Sequence, residues 1–149
     1  MALPTKLTLE IVTPDRALIA EEVDEVVLPG AEGYFGVLPG HTPLLSSLKV
    51  GVLWFRQGQE KYYLAIAFGF VEVLPDRVTV LADIGERAQE IDVQRAERAK
   101  QRAEQRLTQA QAQPQPHMTA VDLDIERARI ALLKSLTRLQ VASHARTRA

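Results

Sequence analysis

Chemistry in this chain would have to come from a short list of side chains. There are three histidines, His41, His117 and His144, and no cysteine. None has a serine or cysteine partner at a recognisable nucleophile elbow, and no cluster of metal-ligand type surrounds them. Without cysteine, disulfides, thiol chemistry and Cys-ligated zinc are excluded. The segment Gly30-Ala31-Glu32-Gly33-Tyr34-Phe35-Gly36-Val37-Leu38-Pro39-Gly40-His41-Thr42-Pro43 is rich in glycine but does not cradle phosphate, because no Gly-Lys-Ser/Thr follows it into a helix. Its glycines and prolines specify a backbone path in detail, and His41 reads as a loop histidine bonded or packed locally. The most concentrated chemistry is basic. Arg95, Arg98, Arg102 and Arg106 recur at spacings of three and four, which on a helix places four guanidinium groups on one face over about 16 Å.

The elements that would position these groups follow from periodicity. Leu7, Leu9 and Ile11 alternate along one face of a strand that Thr13-Pro14-Asp15 ends. Strands follow at Arg16–Glu22, Asp24–Leu28, Gly51–Arg56, Lys61–Ile66, Phe68–Val73 and Arg77–Leu81. Gln57-Gly58-Gln59-Glu60 and Leu74-Pro75-Asp76 serve as hairpin turns. Short strands at this turn spacing, with no long helix between them, predict an N-terminal antiparallel β-sandwich or flattened barrel over residues 1–86.

Residues 87–149 change pattern. From Ile91 to Ala112 there is no glycine or proline, and Ala, Arg, Gln and Glu dominate. Asp92 is placed to cap this helix. Ala96, Ala99, Ala103 and Ala110 form a stripe of small residues, with Leu107 beside it. Gln113–Met118, with two prolines, stops the helix, and Thr119 with Asp122 resembles a capping box for a second one. That helix, over 121–141, places Leu123, Ala128, Ala131, Leu132, Leu136 and Leu139 along one side, and Ser143–Ala149 reads as a frayed end. The two helices predict an antiparallel hairpin that packs on something else, because the first has few large apolar residues.

Charge divides at the same place. Residues 1–86 carry 6 Lys+Arg against 12 Asp+Glu, a net of −6, and residues 87–149 carry 12 against 7, a net of +5. The halves are built for different surfaces. The basic half has no aromatic residue to stack on a base, which argues against nucleic acid. No run reaches the roughly 18 apolar residues of a membrane span, and Met1–Lys6 does not read as a signal peptide. The expectation is a soluble, cytoplasmic or peripheral protein.

The run Gly30-x-x-Gly33-x-x-Gly36-x-x-Pro39-Gly40-His41-x-Pro43-Leu44-Leu45 resembles the signature of the epsilon subunit of F-type ATP synthases. The opening Ile-Val-Thr-Pro-Asp segment, the Val78–Asp83 strand and Ile91-Asp92-x-x-Arg95-Ala96 resemble the same family in the same order. The resemblance covers residues 5–141. It implies a non-catalytic subunit of the central stalk on the cytoplasmic face of the membrane, peripheral to it. The sandwich would bind the gamma subunit and rest on the c-subunit ring, with Glu32, Gly33 and Tyr34 forming the contact loop and His41, Thr42 and Pro43 beside it. The hairpin would switch between a docked state and an extended one that reaches the alpha and beta subunits and inhibits ATP hydrolysis.

The resemblance also implies a regulatory ligand. Some bacterial relatives bind ATP in the docked hairpin through Ile/Leu-Asp-x-x-Arg-Ala, matched here by Ile91, Asp92, Arg95 and Ala96. Glu86, Arg102 and Arg138 also match, while Lys134 stands where tight-binding relatives carry arginine. Arg95, Arg102, Lys134 and Arg138 would meet the phosphates, and Glu86 and Asp92 would accept hydrogen bonds from adenine or ribose. No cofactor is required. Two other readings of the residues stay open: Asp92 as a helix cap alone, with Arg95 its solvated neighbour, and a free-standing ATP-sensing module.

Overall fold

The computed structural model describes residues 3–112 and 119–146, and the side chains of 3–112 and 124–145. The expected stop at Gln113–Met118, His117 within it, and the side chains of Thr119, Asp122 and Leu123 lie outside what is described.

Eight strands come first: β1 (Leu7–Val12), β2 (Ala17–Val23), β3 (Glu25–Gly30), β4 (Gly33–Val37), β5 (Leu44–Leu48), β6 (Gly51–Gln57), β7 (Glu60–Leu74) and β8 (Arg77–Arg87). A 3-10 turn (Ala88–Glu90) leads into α1 (Val93–Ala112) and α2 (Thr119–Arg146). The strands pair in the order β2-β1-β8-β7-β5-β3-β4, and β6 pairs with both β3 and β7, which folds the sheet onto itself. This is the expected sandwich. Its pairs are antiparallel except β1 with β8, which run parallel with Leu9 opposite Val78 and Ile11 opposite Val80.

Alternation produces the core. Leu7, Leu9 and Ile11 are fully buried, as are Val78 and Val80 beside them and Val71 and Val73 on β7. Each large apolar side chain buried this way contributes about 1.5–3 kcal/mol. Phe55 and Tyr62 stack at 5.1 Å between β6 and β7. At the β2–β3 corner, Asp24 accepts hydrogen bonds from the Lys6 ammonium and, at 2.6 Å, from the Gly58 N–H. Those bonds, Lys6 first, hold its carboxyl below the usual carboxylate range.

Four sequence expectations change. The strands expected at Lys61–Ile66 and Phe68–Val73 are one 15-residue strand, β7. Phe68 and Gly69 take positive φ, 62° and 116°, yet the register with β8 is the same on both sides of them, Ala67 opposite Ile84 and Gly69 opposite Ala82. The pair bends the strand without ending it, so β5 and β6 follow one another along the same side of β7. Second, β8 runs to Arg87 rather than stopping at Leu81. Third, the Gly30–Pro43 segment contains a strand, β4, paired to β3. Fourth, Ser143 is not a frayed end, since α2 continues to Arg146. Ala145 packs on the sandwich, and His144 stacks on Tyr63 with ring centroids 3.7 Å apart.

The helices pack on each other as a hairpin. Ala96 and Ala103 are the buried residues of α1. Among the described side chains of α2 the buried ones are Ala128, Ser135, Val141 and Ala142, while the expected Leu136 is 42% exposed and its neighbour Leu133 is 51% exposed. Small side chains win because they let two helix backbones approach closely, leaving the leucines at the flank. Ser135 is satisfied within its helix, donating to the Ala131 carbonyl at 2.7 Å. α2 also packs on β6, β7 and the 3-10 turn, whereas α2 is the principal partner of α1.

Gly69 is the tightest backbone approach in the sandwich. A Cβ there would lie 2.0 Å from the Leu81 carbonyl oxygen. Gly69→Ala should lower stability by about 3 kcal/mol or more, combining strain at positive φ with backbone collision, read by urea unfolding of the intact chain.

Candidate functional site

The site forms where β8 ends and the helices begin. Glu86, the last residue but one of β8, faces Arg138 of α2, and the Arg138 Nε–H donates to Glu86 Oε1 at 2.7 Å. Asp92 is the N-cap of α1. Its Oδ1 accepts the Arg95 backbone N–H at 3.0 Å, and its carbonyl accepts the Ala96 N–H at 3.0 Å. The local cause is the sequence Ile91-Asp92-Val93: an acidic cap follows a buried anchor, since Ile91 is only 8% exposed in the cluster beneath α2.

Around these groups lies an open cavity of about 410 Å³. Glu86, Asp92, Arg95, Ala96, Arg102 and Arg138 line it, together with Glu90 and Ala99. Arg95 and Arg102 are seven residues apart, two helical turns, so both reach the same cavity. Arg98 and Arg106 are not in its lining. The guanidinium groups of Arg95 and Arg102 have no ion-pair partner among the described residues. Two unpaired, exposed cations beside carboxylates that can accept from an N–H or O–H make a place for a molecule with an anionic end and a donor end.

Two residues of the expected set stand elsewhere. Ile91 is packed in the apolar cluster instead of lining the cavity. Lys134 is one turn before Arg138 but points to the sandwich, its Nζ 5.7 Å from the centre of the Phe68 ring. Glu90 was not foreseen. Its carboxylate receives both Arg16 guanidinium nitrogens, at 2.8 and 2.5 Å, and the Arg87 N–H at 3.2 Å. Its place just before Ile91-Asp92, at the end of a 3-10 turn, is the one signal that could have drawn attention to it.

The second group of expected residues lies along the sheet edge. Glu32 is at the β3–β4 turn, Gly33 opens β4, and Tyr34 follows with its hydroxyl accepting the Val52 N–H at 3.0 Å. A side chain on Gly51 would meet that hydroxyl at 2.4 Å, so glycine at 51 makes room for the Tyr34 ring. His41 and Pro43 are in the β4–β5 connection, where His41 Nδ1 is 2.6 Å from the Thr42 carbonyl and the Gly40 N–H donates to Pro75 at 2.7 Å. They were expected beside Glu32–Tyr34. Along the chain, Phe35, Gly36 and Val37 of β4 and then Leu38, Pro39 and Gly40 lie between Tyr34 and His41, because the segment forms a strand and not a single loop.

Comparisons with known proteins agree over both modules. Residues 6–88 match the family described as ATP synthase, Delta/Epsilon chain, beta-sandwich domain. Residues 89–143 match ATP synthase, Delta/Epsilon chain, long alpha-helix domain. An ATP synthase epsilon chain of Desulforamulus reducens is 47% identical over 134 residues, covering 90% of this chain and 95% of that protein. One of Syntrophobacter fumaroxidans is 50% identical over 137 residues, covering 92% and 96%. Among solved structures, a chain in the Euglena gracilis mitochondrial ATP synthase, OSCP/F1/c-ring in rotational state 1, superposes with a TM-score of 0.76 at 25% identity, covering 97% of this chain and 85% of that one.

The Arg16–Glu90 pair ties the β1–β2 turn to the site and gives a pH test. Arg16, followed by the Arg87 N–H, holds the Glu90 carboxyl below its ordinary value of 4.5. A depressed carboxylate contributes stability that is complete above the unfolded value and lost as pH falls through the folded one. Arg16→Ala should therefore be less stable than the parent at neutral pH, and the gap should close as pH drops below about 4, measured by urea unfolding across that range. The chain belongs to the ATP synthase delta/epsilon chain family, with the epsilon chains as its relatives.

Proposed function

We propose that the chain works in the central stalk of an F-type ATP synthase, as a mechanical link and as a brake on ATP hydrolysis that ATP itself holds off. The observation that carries the reading is the way the hairpin is attached. Val52, Ala65, Ala88, Ile91, Val141 and Ala142 form a small apolar cluster of their own, separate from the sandwich core. The hairpin can leave without opening that core. ATP would bind the docked form, its phosphates at Arg95 and Arg102 and its adenine or ribose at Glu86 and Asp92, and so stabilise docking by mass action.

The sandwich would hold the gamma subunit and the c-ring. Phe70 and Leu81 are directly paired across β7 and β8 and are 59% and 55% exposed. Leu45, 72% exposed, stands diagonally from Phe70 on β5. An exposed apolar patch of this kind marks a protein contact, and we assign it to gamma. Glu32–Tyr34 at the sheet edge is assigned to the c-ring, which places the subunit peripherally at the cytoplasmic membrane face. No helix among the described residues is long and apolar enough to cross the bilayer. Released, the basic hairpin would reach the alpha and beta subunits, and its opposite charge would steer it to an acidic surface in a salt-dependent way. The chain contributes no catalytic group of its own.

Removing residues 88–149 should raise ATP hydrolysis by the assembled enzyme several-fold; unchanged hydrolysis would contradict the brake. Calorimetric titration of the isolated chain with ATP should show binding that Arg95→Ala and Arg102→Ala each weaken by about tenfold. No heat at millimolar ATP would end the nucleotide reading.

A further inference from the structure

Phe68 has a backbone that the sandwich does not need from a large residue. It is the only non-glycine residue with positive φ among those described, at 62°. For a residue with a Cβ that conformation carries a free-energy cost, and such costs persist where the surroundings over-determine them. The Phe68 N–H donates to the Lys49 carbonyl within the sandwich, while its ring is met from α2. The Lys134 ammonium lies 5.7 Å from the centre of the Phe68 ring, within the range of a cation–π contact. Lys134 and Arg138 are one turn apart on the same face of α2. Both line a second, small cavity with Glu86, Ala65, Ala67 and Ile84, on the sandwich side of the helix. Only Arg138 and Glu86 also line the larger cavity.

The arrangement divides the cations. Arg95 and Arg102 line the larger cavity with no ion-pair partner among the described residues. Arg138 is engaged by Glu86. Lys134 is drawn away by an aromatic face. We propose that Phe68 sets the nucleotide affinity of the hairpin by withholding Lys134 from the site; this rests on the nucleotide reading above and deepens it. Freed from the ring, the ammonium can reach the phosphates itself or take over Glu86, which it already accompanies in the small cavity. The second route frees the Arg138 guanidinium, which already lines the larger cavity, from its pairing with Glu86. Either route adds one cation to those that face the phosphates.

The test is ATP calorimetry on the full chain and on Phe68→Gly, Lys134→Ala and the double variant. Glycine accepts φ of 62° without strain, so Phe68→Gly keeps the bend in β7. Should it fail to fold, Phe68→Asn, which also tolerates that region, takes its place. Phe68→Gly should bind ATP about three- to tenfold tighter than the parent. Against the Lys134→Ala background the same substitution should give no gain. Equal or weaker binding by Phe68→Gly, with the parent binding normally, overturns the inference alone. A gain of the same size in both backgrounds also overturns it, since the effect would then come from a loosened hairpin and not from Lys134. No heat from any of the four proteins overturns the nucleotide reading and this inference with it.

Discussion

Six buried apolar side chains form the cluster between the C-terminal module and the sandwich, with Tyr63, Val93 and Ala145 packed against it, and none of the six belongs to the sandwich core. Three are alanines, two are valines and one is isoleucine, so the apolar surface they bury is modest. At about 0.8 kcal/mol per buried methylene, a cluster of this size stabilises docking by only several kcal/mol. That is the scale on which a ligand acts, since reversing a two-state preference from one in a hundred to ninety-nine takes about 5.5 kcal/mol of differential binding. α1 depends on the same attachment at one remove, because α2 is its principal partner. The size and separateness of this cluster therefore govern what the hairpin can do.

The polar contacts between the modules refine the picture. Arg138–Glu86 and Arg16–Glu90 join the ends of β8 and of the 3-10 turn to α2 and to the β1–β2 turn. Each is partly exposed, so each positions more than it stabilises. Their arrangement leaves Arg95 and Arg102 without an ion-pair partner among the described residues. Asp92 serves two ends at once: one carboxylate oxygen caps α1, and the group as a whole lines the cavity. The cap and ligand readings of Asp92 are therefore compatible in geometry. Helix capping fixes the carboxylate in place before any ligand arrives.

Much of this could be read from the residues. Alternation gave Leu7, Leu9 and Ile11 to the core, and the spacing of Arg95 and Arg102 put them on one face. The failures have physical causes. The residue pattern divided β7 at Ala67, but positive φ at two successive residues, Phe68 and Gly69, keeps register when the neighbouring strand supplies the ladder on both sides. β4 was hidden by its glycines, whose freedom looks like a loop until β3 pairs with them. The leucine stripe of α2 misled because apolar size was taken as the measure of burial, whereas helix packing here selects Ala128 and Ser135 for closeness of approach. The diversion of Lys134 could not be foreseen, since it depends on a backbone angle at Phe68 that no pattern in the residues announces.

Hydrogen exchange at the amides of α2, with and without ATP, tests the account most directly. Amides of separately docked units exchange through local opening, and those of the core exchange at the global limit. In the absence of ATP, the amides around Ala128–Ala142 should exchange well ahead of those in β1 and β8, and saturating ATP should slow the helix while leaving the core strands unchanged. Helix amides that exchange together with the core strands, and that do not respond to ATP, would show the hairpin to be a fixed part of the sandwich and would contradict the account.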